Sequence, residues 1–342
     1  MGAQPFLRYL GSRRPLVEAW LEAHAWAPEG PCAADLDRYL YAPLARFNAG
    51  AGKRVRPVLA LLGCEACGGS AEKALPAGCA IELFQSAALI HDDIADGSEL
   101  RRGEPSMHIA EGLGLAINAG DGALVQAAEA VLADEGLAPA ARLAVLEEMM
   151  AMERRTLEGQ ALDLGWVRDG RWDLAESDYF AMATLKTAHY SAASPLVLGA
   201  IVAGADAEQK EALRSFGLDA GLAFQIADDL LNLTGDAEAQ GKDFRSDITE
   251  GKRTLIAACT YERTGGAARG ELVEILSSGT ADPDRLARAV ELMEEAGAID
   301  HARATAEELA GRAVRRIESA DIADDARETL VSMAHFFIER TN

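Results

Sequence analysis

The sequence predicts an all-α fold, a single-domain helical bundle with a central cavity between two aspartate-rich helices, and three observations lead there. Alanine, leucine and glutamate dominate while alternating β-branched runs are missing, so helical periodicity has no strand pattern to compete with. Breakers at 28–31, 50–52, 68–69, 103–105, 165–170, 204, 235–241 and 265–266 divide the chain into roughly a dozen helical segments. Two of these, Phe84 to Asp96 and Phe224 to Asp236, are apolar runs ending in paired aspartates, and bundles build ligand sites from side chains on facing helices. No low-complexity linker or change of composition marks a boundary, so 1–342 is expected to be one domain.

Composition narrows the function. Of the 342 residues, 49% are hydrophobic, ample for a sizeable core, and the formal charge of -22 argues against nucleic acid, whose phosphates need a basic face. An acidic protein that handles an anion needs cations as go-betweens. The five cysteines form no disulfide framework; Cys64 and Cys67 make a CxxC with no second pair, so buried helix cysteines are favoured over zinc. The first residues, MGAQPFLRYLGSRRP, hold no apolar core of signal-peptide length, and Phe6 spoils a myristoylation pattern. The most apolar stretches, 195–205 and 74–90, are respectively too short and interrupted by Glu82. A soluble cytoplasmic protein without stable membrane insertion is the expectation.

Gly52 to Pro57 places Lys53, Arg54 and Arg56 at a helix start, where cations oppose the macrodipole. An anion such as a diphosphate would compensate; a solvated basic turn is the competing reading. In the next helix Asp92 and Asp96 stand at i and i+4, about 5–6 Å apart at Cβ, and repel each other unless a cation lies beside them. Oxygen-only ligands suit Mg²⁺ or Mn²⁺, whereas zinc would want more than the nearby His91. Arg101 and Arg102 follow at once, and guanidinium forks match phosphate oxygens. His108, alone, reads as structural. Asp163 has no evident chemical role. Lys186 and Thr187, within an otherwise apolar helix, can reach a ligand in the bundle. Downstream Asp228, Asn232 and Asp236 repeat the i+4 spacing, and Lys242 and Lys252 flank Asp247 in a glycine-bounded loop suited to phosphate.

These motifs occur together and in order: GKRVRP, DDIAD with RRGEPSMH, GQALDL, LKTA, and FQIADD with GKDFRSDITEGKRTL, from about Gly52 to Leu255. In this the chain resembles the trans-type polyprenyl diphosphate synthases, most closely the geranylgeranyl diphosphate synthases among them. The resemblance implies the isoprenoid-synthase helical fold, a homodimer, and condensation of isopentenyl diphosphate with dimethylallyl, geranyl or farnesyl diphosphate. It implies three Mg²⁺ ions, with Mn²⁺ as a substitute, on Asp92, Asp93, Asp96, Asp228, Asp229 and Asn232. It assigns Lys53, Arg56, Gln85 and Arg102 to isopentenyl diphosphate, Arg101 and Lys186 to the allylic diphosphate, and Thr187 with Gln225 to the developing cation. Asp92, Asp93, Lys186, Thr187, Gln225 and Asp228 are then the catalytic set, with Lys242 and Lys252 as further substrate contacts. Arg245, Asn232 and Ile256 depart from residues common in relatives, and Asn232, being uncharged, would weaken the second metal site.

Three other functions compete with this. A class I terpene cyclase also uses a DDxxD, but its second site mixes Asn, Ser or Thr and Glu. A metal phosphohydrolase would need more His ligands. A non-catalytic partner subunit usually lacks one aspartate motif. For product length, the growing chain would run back from Asp92 along its helix at about 5.4 Å per turn. Ala87 and Ala88 are too small to stop it, where C15-forming relatives often hold aromatics. Phe84 is the first large side chain, which predicts mainly C20 with C25 next. Core packing of Phe84 away from the path is the competing reading.

Overall fold

Asp206 and Gln209 exchange bonds at a helix start: Gln209 N donates to Asp206 Oδ1 at 2.8 Å and Asp206 N to Gln209 Oε1 at 3.2 Å. This capping box fixes the origin of the long helix that carries the second aspartate motif. The computed structural model describes residues 2–50, 52–235 and 244–339. Its main helices are α1 (Gln4–Ala23), α2 (Val55–Ala66), α3 (Ala71–Ala95), α4 (Leu113–Leu132), α5 (Pro139–Arg168), α6 (Glu176–Ala183), α7 (Ser194–Ala203), α8 (Ala207–Thr234), α9 (Leu255–Arg263), α10 (Gly266–Ser277), α11 (Pro283–Glu295), α12 (Ala298–Glu318) and α13 (Asp324–Ile338). Short helices at Ala33–Leu36, Ala42–Ala49, Met107–Ala110 and Ser246–Thr249 lie between them. Two segments wind as π-helix, Asp37–Tyr41 and Thr184–Ala193, the second joining α6 to α7.

Among the described residues the only strands are β1 (Leu100–Arg101) and β2 (Glu104–Pro105), an antiparallel pair. Arg102 at φ 54 and Gly103 at φ 84 form its turn, both left-handed, as a two-residue type I′ hairpin requires. The all-α expectation holds, and the hairpin is the form taken by the breaker expected at 103–105.

α3 lies at the centre, packed by α2, α4 and α7, and is buried around most of its circumference. At 25 residues it is long and apolar enough to cross a membrane, more so than the sequence reading allowed, but its apolar window is 72% buried within the bundle. Glu82, which interrupts that run, is neutralised inside by Arg54 at 2.6 Å. Backbone crosses backbone closely where glycines permit. A Cβ on Gly63 would lie 2.2 Å from Leu196 O, and one on Gly199 1.9 Å from Ala60 O, so α2 and α7 touch main chain to main chain. The two ends of the chain meet beneath α2, where Phe6 packs on Phe336 with ring centroids 5.3 Å apart.

Candidate active site

Two pockets adjoin each other across the middle of the bundle. The first, an acidic cavity of about 140 Å³, is lined by Asp163, Lys186, Thr187, Gln225, Asp228, Asp229, Asn232, Asp247 and Lys252, with apolar Met182 and Ala183. Asp92 and Asp96 are not in its lining, but Asp92 is coupled electrostatically to its Lys186 and Lys252, as well as to Asp96 and Arg101, and accepts from Gln160 Nε2 on Oδ1 at 2.8 Å. Burial, reinforced by Asp96, raises the Asp92 carboxyl above its ordinary value in spite of the cations. Lys252 contacts Glu250 at 2.6 Å and Asp247 at 3.7 Å, and Asp96 also acts on it. The two motifs therefore share one electrostatic field. Burial pushes Asp247 up to about 6.

The second pocket, of about 130 Å³, is cationic. Lys53, Arg54, Arg56, Gln85, Arg102, Ser191, Phe224 and the C-terminal Phe336 and Phe337 line it. Arg56 donates to Ser191 Oγ at 2.9 Å and lies 4.3 Å over the Tyr190 ring. Gln85 Oε1 is buried with no hydrogen-bond partner, as expected of a group shaped for a ligand. Arg54 differs from its neighbours: it is 4% exposed, left-handed at φ 53, and tied to Glu82 and to the carbonyls of Asn48 and Gly50. It anchors the turn from which Lys53 and Arg56 extend.

The pockets are adjacent for a simple reason. Phe224 and Gln225 are consecutive on α8, one in each, and Thr187 and Ser191 stand about a turn apart in the π segment, again one in each.

Residues 37–293 match the family model described as polyprenyl synthetase. The chain belongs to the polyprenyl synthetase family. Within it, the chain is 41% identical over 291 residues to a short chain isoprenyl diphosphate synthase of Methanothermobacter thermautotrophicus, covering 84% of this chain and 86% of that one. It is 38% identical over 307 residues to a geranylfarnesyl diphosphate synthase of Natronomonas pharaonis, covering 85% and 86%. A geranylgeranyl pyrophosphate synthase of Corynebacterium glutamicum, solved with isoprenyl diphosphate and magnesium, superposes at TM-score 0.83 and 29% identity, with 99% of this chain and 97% of that one covered. The names of the relatives span farnesyl to geranylfarnesyl products. This member of the polyprenyl synthetase family is thus a prenyltransferase, and its fold is the one the sequence predicted.

A metal would meet a suitable donor set in the acidic cavity. Its lining holds carboxylate oxygens and no imidazole or thiolate, which fits a hard cation such as Mg²⁺. Asp92 is raised mainly by burial and further by Asp96, and a cation beside the pair would favour the charged form against both.

Most residues singled out by sequence are brought together, yet of the six read as metal-facing Asp93, Asp229 and Asn232, besides Asp92 with Gln160, are hydrogen-bonded by the protein itself. Asp93 is 0% exposed; Arg101 Nε donates to its Oδ1 at 2.9 Å and a second guanidinium nitrogen joins it, leaving Oδ2 buried. Asp229 accepts from Tyr179 Oη at 3.0 Å and Gln225 Nε2 at 2.7 Å, and burial, with Asp247 beside it, raises its carboxyl well above the ordinary range. Asn232 donates to Ser246 Oγ at 3.0 Å and accepts from Asp247 N at 3.2 Å, fastening the short helix after the second motif. Asp92 and Asp96 keep their i,i+4 relation, although α3 ends at Ala95 and Asp96 caps it. Thr187 Oγ1 donates to Gln225 Oε1 at 2.8 Å. Asp236 and Lys242 lie outside the described residues.

The chain-length residues divide. Ala87 is buried in a cluster with Leu44, Met107 and Ala119, while Ala88 is half-buried. Phe84, 3% exposed, packs with Met149 and Met152 and meets Tyr190 edge-on, centroids 6.0 Å apart.

Gln160, Asp163 and Tyr179 were missed as site residues. Asp163 forms an ion pair with Lys186, strong enough to offset burial and hold the ammonium above its usual value. Gly159 makes this possible, since a Cβ there would lie 2.2 Å from Lys186 N. A glycine followed by Gln and Asp at i+1 and i+4 in a helix was the available signal.

Proposed function

We propose that the protein catalyses the Mg²⁺-dependent head-to-tail condensation of isopentenyl diphosphate with dimethylallyl, geranyl or farnesyl diphosphate. The main product is geranylgeranyl diphosphate, C20, with C25 next. The observation that carries this reading is the adjacency of an acidic cavity and a cationic pocket built on shared elements, α8 and the π segment. One pocket suits a diphosphate bound through cations, the other a diphosphate bound directly.

In this reading Asp92, Asp96 and Asp228 hold the ions, three in number, with Mn²⁺ as a substitute. The bound ions neutralise charge that grows on the departing diphosphate. Lys186 and Lys252 bind the allylic diphosphate, as does Arg101, which Asp93 holds in place. Lys53, Arg56, Gln85 and Arg102 hold isopentenyl diphosphate so that its double bond faces the allylic carbon. Thr187 and Gln225 present oxygens beside the developing allylic cation, and Asp229 with Tyr179 fixes the Gln225 amide. Apolar Met182 and Ala183 help to exclude water that would quench the cation. The lost proton goes to the leaving diphosphate. Phe84, backed by Tyr190, forms the floor of the product path.

We also read the chain as one domain and a soluble cytoplasmic homodimer. Leu143, Met150, Leu157 and Leu164 recur every seven residues on α5, each at least 40% exposed, and Leu113, Ile117, Val125 and Leu132 do the same service on α4. An apolar stripe of this kind is suited to a second copy.

The test is an assay of purified protein with Mg²⁺, labelled isopentenyl diphosphate and each allylic primer, followed by sizing of the products. Chain-extended diphosphates are expected. Pyrophosphate release without isopentenyl diphosphate would favour a terpene cyclase, and no turnover at all a non-catalytic partner subunit.

A further inference from the structure

We infer that Glu176, Cys259 and His301 form a second cation site, apart from the acidic cavity and suited to a borderline divalent ion such as Zn²⁺. The three residues come from three helices: Glu176 opens α6, Cys259 lies midway along α9, and His301 is in the first turn of α12. One ligand atom from each lies within 4.8 Å of the other two.

The contact between two of them points to a shared ligand. His301 Nε2 and Glu176 Oε1 are 2.7 Å apart, yet Nε2 is buried without a hydrogen bond. The two atoms lie at ion-pair distance but outside hydrogen-bond alignment, and Glu176 is partly open to solvent. A buried ring nitrogen without an aligned hydrogen bond calls for an explanation, and an ion shared by three ligand atoms within 4.8 Å of one another supplies one.

The donor types select the ion. Mg²⁺ prefers an all-oxygen set, whereas one thiolate, one imidazole and one carboxylate are a zinc-type set. Tetrahedral bonds of about 2.0–2.3 Å put ligand atoms roughly 3.3–3.8 Å apart, so the His–Glu contact must open slightly and the sulfur close in. Cys259 is fully buried, while Glu176 and His301 are about one-third exposed, at 33% and 31%. The ion therefore has an entry side, and water can fill its fourth position. Thiolate and carboxylate together balance a divalent charge. Arg263, which also acts on the thiol, donates to the carbonyls of Ala296 and Gly297 at 3.3 and 3.1 Å. Burial raises the Cys259 thiol, so ion binding releases its proton and tightens as pH rises.

Co²⁺ is the probe, titrated into full-length protein stripped with EDTA. The wild type should develop a near-ultraviolet thiolate-to-Co²⁺ band and intense tetrahedral visible bands, saturating at one ion per chain. Cys259→Ser should abolish the ultraviolet band. Since loss of even an outer-shell partner costs about 10–100-fold in metal affinity, His301→Ala should weaken binding by no less. The band should survive in Cys64→Ser/Cys67→Ser and in Asp92→Asn/Asp228→Asn, which separates it from the CxxC and from the acidic cavity. Absence of a thiolate band in the wild type, or its persistence in Cys259→Ser, overturns the inference without touching the prenyltransferase reading.

Discussion

Asp92 and Asp93 are neighbours with different surroundings, and their variants should fail differently. Asp92 meets Lys186, Asp96 and Lys252 through its charge, so Asp92→Ala is expected to lower turnover by at least ~100-fold, the order associated with a principal electrostatic stabiliser. EDTA should abolish activity and Mg²⁺ restore it. Asp93 is turned into the protein to hold Arg101. Asp93→Ala should therefore raise the KM for the allylic substrate and leave the Mg²⁺ concentration for half-activation unchanged; a change in that concentration would make Asp93 a ligand. Arg54, Arg102 and Arg245 are the non-glycine residues with positive φ among those described, and all lie at or beside the site. Each left-handed residue costs about 1–2 kcal/mol, a strain the surrounding contacts must offset. Glu153 gives a pH prediction. Burial pushes it from 4.5 up to about 7, with Oε1 buried and unpartnered. Between those values the folded protein keeps a proton that the unfolded chain releases, so this group's contribution to stability falls as pH rises to about 7. Glu153→Gln should then raise the Tm at pH 8 and do so much less at pH 5, as calorimetry can check.

The element that organises the site is the π segment Thr184–Ala193, a widened stretch of the kind that recurs at functional sites. It sends Lys186 and Thr187 into one pocket and Ser191 into the other, and close glycine contacts hold it on both sides. Gly159 of α5 faces Lys186, and Gly217 and Gly221 of α8 face Ala193 and Ala188. Gly159→Ala would place its Cβ 2.2 Å from Lys186 N and force the two elements apart. A loss of about 1–3 kcal/mol is expected from such overpacking, with a raised KM for the allylic substrate; an unchanged Tm and KM would mean that the contact is easily relaxed. For α3 the matter is product length. Phe84→Ala should open the floor and lengthen the products, while Ala88→Phe should shorten them to C15, both read by chromatography. If the Phe84→Ala product is unchanged, the floor lies elsewhere and the reaction class stands.

At the scale of the whole molecule, the apolar residues on α4 and α5 stand on the outside of the same bundle wall whose inner side carries Gln160 and Asp163. An exposed leucine such as Leu157, 67% accessible, gains nothing in a monomer. Leu157→Asp is expected to convert a dimer to a monomer in light scattering. Because α5 also orients Asp92 and Lys186, activity should fall with it. A variant that remains dimeric would put the interface on another face.

Helix content, most of the breakers between helices and both aspartate motifs were legible in the sequence, because periodicity and spacing are local properties of a chain; Gly165, read as part of a break, instead lies inside α5, and 236–241 lie outside the described residues. Lys53, Arg56 and Arg102 are cations compatible with an anion or with a solvated turn, and Gln85 was assigned only through the family resemblance; the fold brings all four to one pocket. What local pattern could not decide was rotation and winding. Whether Asp92 or Asp93 faces the cavity depends on the roll of α3 against α2, α4 and α7 and on where Arg101 returns from the hairpin. The π winding around Lys186 depends on backbones meeting at Gly159, Gly217 and Gly221, and the engagement of Asn232 depends on the later Ser246–Thr249 turn. The convergence of Glu176, Cys259 and His301 belongs to the same class. Each requires side chains far apart in sequence to compete for one volume, and only close packing of the whole bundle settles which of them fits.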